Sequence, residues 1–79
     1  MNNSSKIFLS RILNLANMMN SAIKSGNKAD YEYNEKMLDF TVELATDIGH
    51  EVHVYWRPDG QIASIQVAKQ KAQAIFYEE

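Results

Sequence analysis

The 79-residue sequence contains no cysteine and only one proline. The absence of cysteine excludes disulfides and thiolate chemistry, and it mildly favours a reducing compartment. No segment approaches the ~20 apolar residues of a membrane-spanning helix. The first residues do not resemble a signal peptide, because Ser10 and Arg11 interrupt the apolar run that follows Lys6. We therefore expect a cytoplasmic protein with no membrane association.

The sequence also lacks the motifs of enzymes and metal centres. It has no G-x-S-x-G motif, no glycine-rich phosphate loop and no H-E-x-x-H motif. The two histidines, His50 and His53, lie in a segment of strand character, where residues three apart point to opposite faces and cannot share an ion. Carboxylates on an exposed helix face stay ionised and repel each other, so they make poor general acids. We expect no enzymatic activity, no metal and no cofactor.

Length and charge limit the chain further. Its 79 residues form one small domain with a thin stability margin, in which residues 1–4 are expected to be disordered. The net charge of −2 argues against nucleic-acid binding, which needs clustered lysine and arginine. The basic residues are scattered, whereas seven of the ten acidic residues lie between Asp30 and Glu51.

Two helices are predicted, because apolar residues recur with the helical period. Ser4 or Ser5 can cap the first helix, which extends to about Ser25. Asn27 can cap the second, which ends near Ile48. The short linker between them predicts an antiparallel helical hairpin. Its core is expected to contain Leu15, Met19, Phe40, Leu44 and Ile48.

The period changes to two at Val52, which predicts a first strand, and a second strand runs from Ile62 to Val67. The tripeptide Pro58-Asp59-Gly60 predicts the turn between them. A three-residue loop would pair Val54 with Ser64 and mix polar with apolar residues on one face, so we expect a two- or four-residue loop. That register pairs three sets of apolar residues on one buried face: Val52 with Val67, Val54 with Ile65, and Trp56 with Ala63.

The tail from Ala68 to Tyr77 consists of strong helix formers and predicts a third helix. A third strand through Ile75, Phe76 and Tyr77 is the alternative. The expected fold class is therefore α+β in the order α-α-β-β-α, with the helical hairpin packed on a two-stranded antiparallel sheet. Such a sheet has two open edges, and the apolar arc of the second helix is wider than one neighbour requires. A homodimer or the C-terminal strand would complete this fold.

The second helix also has acidic residues on one side. Five carboxylates fall within roughly 120° of arc, at about 100° per residue. Like charges four residues apart each cost about 0.2–0.5 kcal/mol, so stability alone would favour lysine between them. A face of this kind can dock on a basic surface of another protein. We call it the acidic stripe, and its members are Glu32, Glu35, Asp39, Glu43 and Asp47.

These features favour a non-catalytic protein-binding module. By analogy of size and charge, it would be a small inhibitor or adaptor, such as a phage or mobile-element inhibitor of a host nucleic-acid enzyme. Tyr55 and Arg57 form a second candidate surface, because tyrosine and arginine are enriched in interface hot spots. The alternative is a homodimeric DNA-binding regulator that uses the polar face of the first helix. That face contains Lys6, Arg11, Asn14, Asn17, Asn20 and Lys24.

Overall fold

The computed structural model describes residues 4–78, which form two helices followed by three strands. The helices are α1 (Ser4–Ser25) and α2 (Lys28–Asp47). The strands are β1 (Val52–Trp56), β2 (Ile62–Val67) and β3 (Gln70–Gln73), and they form one antiparallel sheet in the order β1-β2-β3. The α+β class and the helical hairpin on a β-hairpin are confirmed, with three strands in place of two.

The reversal between the helices uses the residues that the sequence indicates. Gly26 adopts the left-handed conformation, with φ of 72°, and ends α1. The Asn27 side chain then accepts a hydrogen bond of 3.1 Å from the backbone N–H of Asp30, which caps α2. A connection this short makes the two helices neighbours along their length.

The predicted C-terminal helix is wrong, because residues 70–73 form β3. The alternative strand through Ile75, Phe76 and Tyr77 is correct in kind but lies too far along the chain. Ala68, with φ of 56°, reverses the chain directly after β2 and brings Gln70 opposite Val67. The open edge of β2 needs partners for its backbone N–H and C=O groups, and this need outweighs the helix propensity of the tail.

The turn between β1 and β2 has three residues, unlike the loop we expected. The backbone N–H of Arg57 donates to the carbonyl of Gln61 at 2.7 Å, and Gly60 between them has φ of 94°. A type I turn followed by a left-handed residue is a common three-residue hairpin loop, and glycine suits its last position. This turn places Trp56 opposite Ile62.

An irregularity in the sheet then restores the expected pairing. The register shifts between Tyr55 and Trp56, so that Ala63 has no partner on β1. Val54 therefore lies opposite Ile65, as predicted, and Val52 lies opposite Val67. The predicted pairing of Trp56 with Ala63 is wrong. Turn chemistry sets the register at the loop, the apolar face sets it further along, and the β-bulge reconciles the two.

The core lies between α1 and the sheet, and α2 contributes little to it. Helix α1 packs over β2 and β3, whereas α2 packs mainly on α1 and barely touches β1. Leu38 is the one large α2 side chain in the buried cluster. The cluster consists of Ile12, Leu15, Ala16, Met19, Leu38, Ile62, Ile65, Val67 and Ala74.

The expected helical-hairpin core is therefore correct for two of its five residues. Leu15 and Met19 are buried, as predicted, but Phe40, Leu44 and Ile48 are 56%, 43% and 59% exposed. They lie on α2 roughly 100° around the helix from the side that faces the core. Trp56 was expected on the buried face and is 52% exposed, because α2 barely touches the edge strand β1 and α1 packs on β2 and β3 instead.

Candidate functional site

The acidic stripe lies on the outer side of α2. Four of its carboxylates are exposed and Glu35 is half-buried. Among residues 4–78, no lysine or arginine forms a salt bridge with any of the five. A carboxylate contact with a basic side chain does occur elsewhere, where Nε2 of His53 lies 3.5 Å from Glu51. Lys36 is the one basic residue within its arc, so the stripe is a predominantly negative face.

Tyr31 lies next to this charge. Burial raises the pKa of its phenol, and the carboxylates of Glu35 and Asp39 raise it further. A raised folded-state pKa means that the neutral phenol contributes stability below the ordinary value of 10.0, and that this contribution is lost as the pH rises through the folded-state pKa. Burial of Tyr31, together with two carboxylates of the acidic stripe, thus makes the stability of the domain depend on pH in the alkaline range.

The free energy of unfolding of the wild type should consequently fall more steeply above about pH 10 than that of the variant Tyr31→Phe. Phenylalanine keeps the ring and removes the titrating hydroxyl. Urea denaturation at several pH values from about 8 to about 11 measures the slope for both proteins. Equal slopes would show that folding does not raise the pKa of Tyr31.

A second stripe of exposed residues follows the acidic stripe along α2. Its members are large and apolar, and their spacing of three or four residues places them side by side on the helix surface. Exposed apolar residues that are contiguous mark interaction sites, whereas scattered ones need no explanation. We call this the apolar stripe: Tyr33, Met37, Phe40, Leu44 and Ile48.

Helix α1 extends the apolar stripe sideways into a groove. Ile7, which is exposed, and Arg11 line one wall, while Met37 and Leu44 belong to the opposite wall. The groove has a volume of about 220 Å³. The surface of the helical hairpin therefore has an apolar centre with the acidic stripe on one side and Arg11 on the other. The full lining is Ile7, Phe8, Arg11, Met37, Phe40, Thr41 and Leu44.

The prediction from the sequence missed this surface, because it placed the whole apolar arc of α2 in the interior. The signal was present in the residues that are buried instead, which are mostly small or polar and suit a shallow contact. They are Asn34, Leu38, Thr41 and Ala45. Because the apolar arc of α2 is wider than the contact that α2 makes with the rest of the fold, the apolar residues outside that contact are exposed.

Tyr55 and Arg57, the second candidate surface, are placed apart from the acidic stripe. Tyr55 follows a residue that packs on the core, so it points to the outer face of the sheet, where the Lys71 ammonium lies 4.7 Å from its ring centroid. The Arg57 guanidinium lies 4.3 Å from the centroid of the Phe76 ring. These cation–π contacts fix both side chains near β3 and the tail.

The polar face of α1, the alternative DNA-binding surface, is partly used inside the fold. Asn20 is fully buried: its carbonyl oxygen accepts from the Ile62 N–H at 2.7 Å, and its amide nitrogen donates to the carbonyls of Ile62 and Ile75 at 2.9 Å each. Asn17 accepts from the Ile75 N–H at 2.8 Å. These two amides are engaged with backbone and are not free to contact bases, while Lys6, Arg11, Asn14 and Lys24 are exposed.

Ser4 and His50 form the contact most similar to a catalytic pair. The Ser4 hydroxyl lies 2.7 Å from Nε2 of His50, and a serine beside a histidine is the start of a nucleophile and base. The His50 ring packs on Phe8, and within residues 4–78 no carboxylate orients it, since Glu51 contacts His53 instead. This contact joins the start of α1 to the segment after α2.

Residues 4–78 contain neither a cluster of metal ligands nor a membrane-spanning helix. No group of three or more potential ligands is close enough there to hold a metal ion. No helix in the described part of the chain is long and apolar enough to cross a membrane. The chain matches no protein-family model, no curated protein and no solved structure, so its function can be inferred only from its own residues.

Proposed function

We propose that this chain is a non-catalytic protein-binding module, a small inhibitor or adaptor, that docks the acidic stripe of α2 on a basic surface of another protein. The observation that supports this most directly is a stripe of five carboxylates without a salt-bridge partner among residues 4–78. Mutual repulsion of these charges destabilises the helix, so the stability of the fold does not account for them.

The charge pattern indicates what such a partner offers. Clustered lysine and arginine form the phosphate-binding grooves of nucleic-acid enzymes, and those grooves attract carboxylates by the same long-range field. A predominantly negative helix face speeds encounter with a groove of this kind and orients the two proteins. An inhibitor of a nucleic-acid enzyme would thereby compete with the phosphate backbone.

Self-association is the second part of the proposal. The exposed apolar stripe and the open edges of β1 and β3 each leave surface that a second copy can cover. A small domain also gains stability from a partner subunit. Sedimentation at micromolar concentration should then report about twice the chain mass of 9.0 kDa.

The heterologous interaction is tested by charge reversal. A partner is first captured from an extract of the native host, identified and purified, and its binding is then measured with pure components. The variant with Asp39, Glu43 and Asp47 replaced by lysine should fold, because all three side chains are exposed. It should bind at least about 100-fold more weakly, with much of the loss in the association rate and a weaker dependence on salt.

Two control variants make this test specific. Glu51→Lys combined with Glu78→Lys changes exposed charge outside α2 and should bind nearly as well as the wild type. Tyr55→Ala combined with Arg57→Ala probes the outer face of the sheet. If that pair abolishes binding while the reversed stripe binds normally, the acidic stripe is ordinary solvated surface and the sheet is the binding site.

A further inference from the structure

We infer that the apolar stripe of α2 and the groove beside it form the interface of a two-fold homodimer whose axis runs parallel to α2. This rests on the proposed self-association and specifies the surface and the symmetry that it uses. A second copy could instead bind at the open edges of the sheet. The two arrangements differ in which apolar side chains they leave exposed to water.

A second copy on the apolar stripe would cover the exposed apolar surface that the monomer has on its helices. Ile7, Phe40 and Leu44 all border the groove, and each is exposed. Pairing at the edge of β1 would leave all three in water. The apolar stripe and Ile7 together have six exposed large apolar residues, whereas β1 and the tail have four, namely Tyr55, Trp56, Ile75 and Phe76. The helical surface therefore gains more from a second copy, since burial of apolar area is the main driving force of association.

The charges on the two rims of this surface select the symmetry. The rim formed by α2 has a net charge of −2, because it contains three carboxylates and one lysine: Glu32, Glu43, Asp47 and Lys36. On the rim formed by α1, Arg11 lines the groove. Each copy thus has a negative rim and a positive rim with apolar side chains between them.

An axis perpendicular to α2 would place the two negative rims against each other. An axis parallel to α2 exchanges the rims, so that Arg11 of each copy faces the carboxylates of the other. Because this axis also preserves height along the helix, Arg11 meets Glu43, which lies on α2 at the level of the groove. Each α2 then runs antiparallel to α1 of the other copy, the arrangement found in up-down helix bundles.

Part of the acidic stripe remains available in such a dimer. Asp47 and Glu43 lie on its edge next to the apolar stripe, whereas Asp39 and Glu35 lie further around the helix, at about 100° per residue. The side that faces away from the interface keeps those carboxylates for a basic partner. Self-association and heterologous binding therefore use neighbouring surfaces of one helix.

Sedimentation equilibrium from about 1 to about 200 μM tests the surface. The wild type should be dimeric, and Phe40→Asp should weaken the dimer at least about 100-fold while far-UV circular dichroism stays unchanged. Tyr55→Asp, which places the same charge on an exposed aromatic position of β1, should leave the dimer intact. A monomeric wild type would overturn the self-association itself. A dimer that Tyr55→Asp disrupts and Phe40→Asp does not would overturn the helical interface alone.

A charge swap tests the symmetry. Arg11→Glu and Glu43→Arg should each weaken the dimer about 10-fold, and the double variant should recover most of that loss, because the two side chains face each other across the parallel axis. Lys36→Glu should have little effect. If the double variant shows no recovery and Lys36→Glu weakens the dimer instead, the axis is perpendicular to α2 and the inferred symmetry is wrong. Neither result depends on the heterologous partner.

Discussion

Replacing Asn20 by alanine is expected to remove most of the stability of this domain. Two buried backbone groups, the N–H and C=O of Ile62, and the partly buried C=O of Ile75 would lose their hydrogen-bond partner. An unsatisfied buried polar group costs about 1–3 kcal/mol, so the loss should be about 3 kcal/mol or more. Small domains have a free energy of unfolding at the low end of about 5–15 kcal/mol, so a loss of about 3 kcal/mol is more than half of it.

Urea denaturation of Asn20→Ala measures this loss, and Asn14→Ala is its matched control. Asn14 lies on the same helix and is exposed, so its truncation should change the free energy of unfolding by less than about 0.5 kcal/mol. Asn20→Asp should be as damaging as the alanine variant, because a buried carboxylate would face two carbonyl oxygens. Equal stabilities of the Asn20→Ala and Asn14→Ala variants would show that the hydrogen bonds of the Asn20 side chain do not stabilise the fold.

The burial of Asn20 could not be predicted from the sequence. On a helical wheel it is one more polar residue among Asn14 and Asn17, and nothing local distinguishes a buried amide from an exposed one. Its burial depends on backbone groups 42 and 55 residues away in the chain. A polar residue can occupy the interior only where partners of this kind exist, and periodicity does not encode them.

The elements with local signals were predictable. Both helices, their reversal at Gly26 and Asn27, and the pairing of Val54 with Ile65 follow from caps, glycine conformation and apolar period. The C-terminal strand was not, because its pairing with β2 is a non-local contact that overrides the helix propensity of its lysine, glutamine and alanine residues. The bulge at Ala63 was missed because we assumed that one register applies to the whole hairpin.

The candidate site was predictable to a similar degree. The acidic stripe could be predicted because it depends only on the residues of one helix. The division of the apolar arc of α2 into buried and exposed parts could not, since it depends on where α1 and the sheet lie around that helix. Phe40 and Leu38 are both large and apolar, and only the packing separates the exposed residue from the buried one.

That division leads to a second prediction of large effect, the contrast between Leu38→Ala and Leu44→Ala. Both changes remove the same atoms from the same helix. Leu38 is 3% exposed and packs in the core, so its truncation should lower the free energy of unfolding by about 2–4 kcal/mol. Leu44 is 43% exposed, and its truncation should cost less than about 1 kcal/mol in the monomer.

Protein concentration provides the control for this contrast. If Leu44 lies in the inferred dimer interface, the cost of Leu44→Ala should rise with concentration, because a dimer adds its association free energy to the stability of the fold. The cost of Leu38→Ala should stay nearly constant, since its contacts lie within one chain. Urea denaturation at two protein concentrations, one below and one above the dissociation constant of the dimer, separates the stability of the single chain from the free energy of association. Equal losses for both variants in the dilute sample would contradict the peripheral position of α2, and with it the exposure on which both proposed interfaces depend.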